Sequence, residues 1–579
     1  MLRFSGPYSL PASHAGLQGG CFLSPKSRGV SASNWTNQFA KKSGLIVLAI
    51  ALLAAGALLL TPLLTSPMGR DQGVFAAVAD VISRGGAPYR DAWDMKPPAI
   101  FYVFRASFAL FGRSEASPRL LDLLWTLATA FGVWALARRL TSTWAGIFAG
   151  LALIARYMTH DYYWHTTQND GFASLPLVLA ALALVAAEER RSRRWAVAAG
   201  AFVGAAMAFK FTLGIFLVLP LIAALTPTEE SLRTRLLRAG SYVLGCAVVL
   251  GAVCAYMWRI GALGAMLDTV VVWNSGYAGL RVPGLAPPNG AAETLSFLLG
   301  TPPRFMFPIG LLAVVGAIDL IARPEAGRMR WFLPAWALTM VVHVWLQGRF
   351  YDYHWLPVLP PLALLSGQGL RAVAHQLART SLRRSAVRAI SVAGLLVVLG
   401  LIAYGYYGFL KFPITYLRGG IPRATYLRTF DRAIRSDFSL VADSETAAWL
   451  RDHTAPDTPI LIWGFEPLIY FLADRPPASR FIYTVPLVAP WSPAAWRSEF
   501  IGDIARRRPA YILVVHNDAQ PWMVGRWDDS ASQLAGFPEL VAVLREQYRF
   551  ELRLGDFDVW ERRATKEEDG AAAPAQSPI

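Results

Sequence analysis

Trp195-Ala-Val-Ala-Ala-Gly-Ala-Phe-Val-Gly-Ala-Ala-Met-Ala-Phe-Lys210-Phe-Thr-Leu-Gly-Ile-Phe-Leu-Val-Leu-Pro-Leu-Ile-Ala-Ala-Leu225 is an apolar stretch carrying a single charge, at Lys210. A helix crossing a bilayer needs about 20 predominantly apolar residues. The stretch therefore reads either as one long span interrupted by Lys210 or as two spans that meet there. Basic residues decide between them. With two helices, the loops holding Arg138/Arg139, Arg190–Arg194, Arg233–Arg238, Arg323–Arg330 and Arg371–Arg388 all face one side. The short opposite loops, around 159–171, 210 and 347–354, are nearly free of Lys and Arg. With one helix the parity flips and the last three basic loops change sides. Cytoplasmic loops collect Lys and Arg, so two helices are favoured and Lys210 falls at the external surface.

Working outward, apolar runs near 44–64, 119–137, 143–158, 172–187, 195–209, 211–225, 239–258, 304–322, 331–346, 355–370 and 389–409 predict about 11 transmembrane helices. The whole chain agrees: 579 residues, 54% hydrophobic and 16% charged, with mean hydropathy +0.37, is a composition that excludes an ordinary soluble domain. The net charge of +16 would suit nucleic acid, but the Arg blocks between apolar runs are accounted for by topology. Cys21, Cys246 and Cys254 are scattered and have neither disulfide nor metal-ligand spacing.

Lys41 and Lys42 precede the first span and place the N-terminus in the cytoplasm; an odd span count puts the C-terminal part outside. The expected organisation is a disordered cytoplasmic segment 1–40, a transmembrane domain 41–410 with its first external loop at 65–118, a periplasmic α/β domain 411–563, and a disordered tail 564–579. In the external part, Pro459–Trp463 and Ala510–Val515 read as buried strands, Glu466–Ala473 as a helix and Tyr548–Arg562 as a closing hairpin. The location expected is the cell inner (plasma) membrane, crossed many times.

Chemistry-bearing residues gather in the external loops. Asp71 follows the first span by a few residues and opens a helical pattern, where a helix N-terminus favours its ionised form. A carboxylate at the membrane–water boundary suits a general base acting on an acceptor hydroxyl; an N-cap or first-turn Asp with no further role fits the position equally well. Asp94 and Lys96 close the same loop, and the 99–112 run after them is too short to span, so it reads as an interfacial helix with Lys96 and Arg105 at headgroup depth. Phosphate binding and snorkelling both fit these cations. Between spans three and four stand Tyr157, His160, Asp161, His165, Gln168, Asn169 and Asp170. Asp170 is either a cap or a lining of the site. The two histidines, with Asp161 or His354, are a weak candidate metal set. An ammonium at the membrane edge needs a partner, and Lys210 has three candidates: a lipid phosphate, Asp71 or Asp170. Arg349, Tyr353 and His354 lie in a short aromatic outer loop suited to closing over a ligand, with Tyr351 beside them as a membrane-belt anchor. Trp273–Tyr277 forms part of a longer outer loop.

Asp71-Gln-Gly-Val-Phe75, Gly85-Gly-Ala-Pro-Tyr-Arg-Asp91, Trp93-Asp-Met-Lys-Pro-Pro98, Phe209-Lys-Phe211 and Gly348-Arg-Phe-Tyr-Asp-Tyr-His354 follow one another along this topology. In that order they resemble the bacterial family-39-type glycosyltransferases of the GT-C fold, relatives of the protein O-mannosyltransferases and of the aminoarabinose transferase acting on lipid A. The similarity covers roughly residues 44–563. It implies an inverting transfer from a polyprenyl-phosphate sugar, with Asp71 as the catalytic carboxylate and Asp94, Lys96, Asp170, Lys210, Arg349, Tyr353 and His354 as substrate-binding groups. Two positions depart from the pattern: Gln72 stands where many members have a second acidic residue, and Met95 where some have Glu. The expected partners are the lipid-linked donor, a lipid, glycan or protein acceptor, and the membrane, with no nucleic acid. No cofactor is called for, a divalent metal being the one candidate group. The competing readings are a transporter or flippase of lipid-linked sugar, and a non-catalytic relative binding cell-envelope glycan.

Overall fold

The structure, a computed structural model, describes residues 50, 53–54, 56–159, 165–225, 230–280, 306–323, 329–379, 385–431 and 438–563; the elements that follow lie in one compact unit, Leu52–Ile579. The helices are α1 (Arg70–Ser83), α2 (Ala99–Phe111), α3 (Ala116–Leu140), α4 (Thr143–Met158), α5 (Asn169–Arg190), α6 (Arg193–Met207), α7 (Val218–Leu225), α8 (Leu232–Arg259), α9 (Ile309–Ile321), α10 (Met329–Gln347), α11 (Leu359–Arg379) and α12 (Ser385–Leu417). A helix lies over each expected span from 119–137 onward. The first, 44–64, falls largely outside the described residues. Among those described, α3, α5 and α8 are long and apolar enough to cross a bilayer by length and composition. Hydropathy locates apolar runs rather than helix ends, which is why α8 begins at Leu232 and not at 239. Ser231 caps it, its hydroxyl accepting from the Thr234 N–H at 3.3 Å, and the Arg-rich turn simply continues the helix.

The break in the deciding stretch is real. Helix α6 ends at Met207, Lys210 is extended (φ −158°), and a 3-10 turn over Phe211–Leu217 leads into α7. Pro220 falls in the first turn of α7, where no intrahelical donor is missed. Close helix contact depends on small residues: a side chain added at Gly200 of α6 would collide with the Tyr242 carbonyl of α8, and one at Gly245 with that of Val197.

The C-terminal part adds α13 (Leu440–His453), β1 (Ile460–Trp463), α14 (Leu468–Ala473), α15 (Ala495–Arg507), β2 (Tyr511–Val515), α16 (Pro538–Gln547), β3 (Tyr548–Leu554) and β4 (Phe557–Arg562). The sheet order is β1-β2-β4-β3. β1 and β2 run parallel, Ile460 opposite Tyr511, and both are buried along their whole length, as apolar runs in a covered parallel pair should be. β3 and β4 form the expected hairpin. Chain leaving the carboxyl ends of the two parallel strands supplies Phe465 and Gln520 to the cavity described below, the place where open α/β sheets present ligand-binding loops. Asp518 fixes both loops, accepting from Phe465 N at 2.9 Å and from Ser530 N and Oγ at 2.7 Å.

Candidate active site

A cavity of about 730 Å³ opens between the helical part and the C-terminal sheet. Asp71, Asp94, Lys96, Lys210, Arg349, Tyr353 and His354 all line it. Asp71 and Lys210, separated by 139 positions in sequence, therefore share one chamber, the juxtaposition that the two-helix reading requires.

Asp71 stands in the first turn of α1, where the partial positive charge of the helix end favours a carboxylate. One of its oxygens, Oδ2, accepts from Gln168 Nε2 at 3.1 Å. Gln72 does not enter the cavity. Fully buried, it takes the Gly69 N–H on Oε1 at 3.0 Å and donates from Nε2 to the Thr166 carbonyl at 2.8 Å. An acid here would set its second oxygen against that carbonyl, so the amide is the residue this packing requires.

The cations are arranged around Tyr353. Its hydroxyl accepts from Lys96 Nζ at 3.2 Å, and its ring centroid lies 5.2 Å from Lys96 Nζ and 5.5 Å from Lys210 Nζ, within cation–π range of both. Burial pushes the phenol well above its ordinary pKa, so it stays protonated. Burial works against charge on Lys96, yet Asp71 and Asp94 hold its pKa above the ordinary value. Asp94 is buried, accepting from the Tyr483 hydroxyl at 2.8 Å and from Lys96 N at 3.3 Å. Burial raises its pKa to about 6, against the lowering effect of Lys96.

Of the two acids open to Lys210, it pairs with Asp170, whose two oxygens lie 2.7 and 2.9 Å from Nζ. Asp170 is thus an ion-pair member rather than a helix cap; His343 Nε2 lies 3.8 Å from its Oδ1. Arg349 is engaged as well, donating to the Tyr277 carbonyl and, at 3.3 Å, to that of Leu280, with its guanidinium 4.2 Å from the Tyr277 ring. His354 is buried, and its Nδ1 has no hydrogen-bond partner among the described residues; burial and Lys210 hold the ring well below its ordinary pKa, hence neutral.

Other expectations are revised. Tyr351, read as a membrane anchor, lines the cavity and bonds the Tyr277 hydroxyl at 2.8 Å. Tyr157 is turned away onto Asp122, at 2.7 Å. Arg105 is exposed on α2, while Lys96 lines the cavity. Within Trp273–Tyr277, Asn274 and Tyr277 reach the cavity, whereas Trp273 bonds Ser492 Oγ at 2.8 Å. His160 and Asp161 lie outside the described residues; among those described, no three His, Cys, Asp or Glu side chains group as metal ligands. Sequence reasoning missed the contributions of Phe465, Tyr483 and Gln520. Their one signal was position, just beyond or facing the ends of the two apolar strands.

Residues 95–258 match the family model described as dolichyl-phosphate-mannose-protein mannosyltransferase. That match and the overall fold make the chain similar to GT-C membrane glycosyltransferases. The structure is similar to that of ArnT from Cupriavidus metallidurans bound to undecaprenyl phosphate, with TM-score 0.56 and 18% identity, covering 90% of this chain and 99% of that one. The apo state of the same protein gives TM-score 0.56 at 17% identity, covering 90% and 98%. Oligosaccharyltransferase from Archaeoglobus fulgidus in the apo form aligns at TM-score 0.46 and 13% identity over 90% of this chain and 75% of that one. No curated protein is significantly similar in sequence.

Proposed function

We propose that this protein transfers a sugar from a polyprenyl-phosphate carrier to an acceptor hydroxyl on the external side of the inner membrane, with inversion at the anomeric carbon. The observation that carries the reading is a carboxylate, Asp71, lining the same cavity as two ammonium groups that flank one tyrosine. The donor phosphate sits at Lys96 and Lys210, with Arg349 beside them, and the lipid tail runs out between helices. Asp71 takes the acceptor proton as the hydroxyl oxygen attacks the anomeric carbon. The bond from that carbon to the phosphate oxygen breaks, and its electron pair leaves with the polyprenyl phosphate. Charge already offset by cations makes that group a good leaving group. His354, neutral, and the Tyr353 hydroxyl supply hydrogen bonds without adding charge. A neighbour of the same fold bound to undecaprenyl phosphate supports a lipid-phosphate donor.

The same proposal includes about 11 spans, a cytoplasmic N-terminus, and an external domain 411–563 that presents the acceptor, whether lipid, glycan or protein. Purified protein given labelled polyprenyl-phosphate sugar and acceptor should release free polyprenyl phosphate. A transporter, or a relative that only binds glycan, would leave the donor intact, and that result would end the enzymatic reading.

A further inference from the structure

Asp71 has two carboxylate oxygens, and the contacts around it treat them differently. Oδ2 receives the Gln168 amide. Gln168 occupies the N-cap position of α5 yet makes no capping bond with its side chain. It is 1% exposed and lines the cavity. A residue placed to cap its own helix instead directs its amide across the cavity wall to the first turn of α1.

The backbone that delivers it is strained and held from several sides. Thr167, the preceding residue, has φ +57°, a conformation that costs a β-branched residue on the order of 1–3 kcal/mol. Buried Asp122 holds it there, one oxygen accepting from Thr167 N and Thr167 Oγ, both at 2.9 Å. Arg119 donates to Thr166 Oγ at 2.6 Å, to Thr167 Oγ at 2.8 Å and, from its other amino group, to the Pro67 carbonyl just before α1 at 2.5 Å. Gln72 adds the bond to the Thr166 carbonyl. Two separate segments, 67–72 and 166–168, are thereby clamped to each other through a buried polar network, and at its edge Gln168 meets Asp71. Strain maintained by so many bonds is typical of functional sites.

We propose that Gln168 is a positioning residue: by donating to Oδ2 it fixes the Asp71 rotamer and leaves Oδ1 as the oxygen that takes the acceptor proton. The inference rests on Asp71 being the base. A catalytic group displaced by about 1 Å loses roughly 10²-fold in rate, which sets the size of the effect.

The test uses the purified full chain and a polyprenyl-phosphate sugar. Gln168→Ala should lower kcat about 10- to 100-fold and leave the donor KM within about twofold. Gln168→Glu keeps the shape but replaces the amide donor and sets a like charge beside Asp71, so it should fall below Gln168→Ala. A space-filling role predicts the opposite order, Glu above Ala; a donor-binding role moves KM. Either outcome overturns the proposal. Asp71→Asn assayed alongside separates the two claims. An active Asp71→Asn removes the base assignment itself, whereas an inactive one, with wild-type kcat in both Gln168 variants, removes only the positioning role.

Discussion

Two buried ion pairs border the cavity, and they are built to different ends. Lys210 and Asp170 meet at 2.7 Å, with side-chain exposures of 14% and 0%; the carboxylate is sealed while the ammonium looks into the chamber. Arg70 and Glu466 meet at 2.6 Å, with exposures of 9% and 2%. Here the cation also borders the cavity but is packed on aromatic rings, its guanidinium carbon 4.6 Å from the Phe438 ring and 5.7 Å from that of Phe465. The first pair sets a held charge before a ligand. The second fastens the start of α1 to the loop after β1, beside Gly73, where any side chain would meet the Leu468 backbone. A buried ion pair is weak evidence of stabilisation by itself; what its charged face touches tells the two roles apart.

Neutralising each pair as a unit tests that contrast. Lys210→Met with Asp170→Asn should insert and fold near normally but lose about 10²–10³-fold in transfer, the size of a lost charge-stabilising donor. Arg70→Met with Glu466→Gln should fold comparably and lose less than about tenfold, since that pair sits outside the proposed chemistry. Equal losses in the two double variants would erase the distinction.

Breaking either pair one partner at a time is a folding experiment. Lys210→Met or Glu466→Ala alone strands a buried opposite charge and should cost about 3–5 kcal/mol in thermal or denaturant unfolding, most of it recovered in the double variants.

Asp94 gives a pH handle on the cation side. With a pKa raised to about 6, it loses its charge as pH falls through that value. Lys96 stays protonated there, so the site becomes more positive and donor KM should fall below about pH 6, while Asp94→Asn shows no such limb. Tyr483→Phe, removing the bond that favours the ionised form, should move the limb upward.

The smallest effect belongs beside the Arg70–Glu466 pair. Asp443 is buried, with neither oxygen bonded among the described residues, and burial, then Glu466, pushes its pKa well above the carboxylate range. A raised carboxyl contributes stability below its unfolded pKa and loses it as pH rises towards the folded one. Asp443→Asn should thus match the parent at acid pH and melt progressively higher than it as pH increases. An unchanged difference across pH would deny the buried protonated carboxyl.

The two pairs also show what a sequence can carry. Lys210 stands out because a lone charge in a long apolar run has few explanations, and the balance of Arg blocks predicts an external position for it. Asp71, Asp94 and Asp170 were visible for the same reason, as charges in loops flanking apolar runs. The protein partner of Lys210 was not legible, since Asp71 and Asp170 both lay in loops read as sharing its side and only packing chooses between them. Gln72 was misleading: it looked like a missing acid, whereas its surroundings are a backbone donor and a backbone carbonyl. Arg70 and Glu466 carried no signal, being separated by 396 positions and joined only through tertiary packing. The strands of the C-terminal sheet were legible from their apolar runs, but their cavity-facing loops depend on a docking geometry that no local pattern encodes.

The central claim is that Asp71 acts on the acceptor while the cations across the chamber hold the donor. Binding of labelled polyprenyl-phosphate sugar and release of polyprenyl phosphate should be measured on the same preparation of Asp71→Asn. The account predicts donor affinity within about threefold of the parent and turnover reduced by at least about 10²–10⁴-fold. Undiminished release from that variant would contradict it.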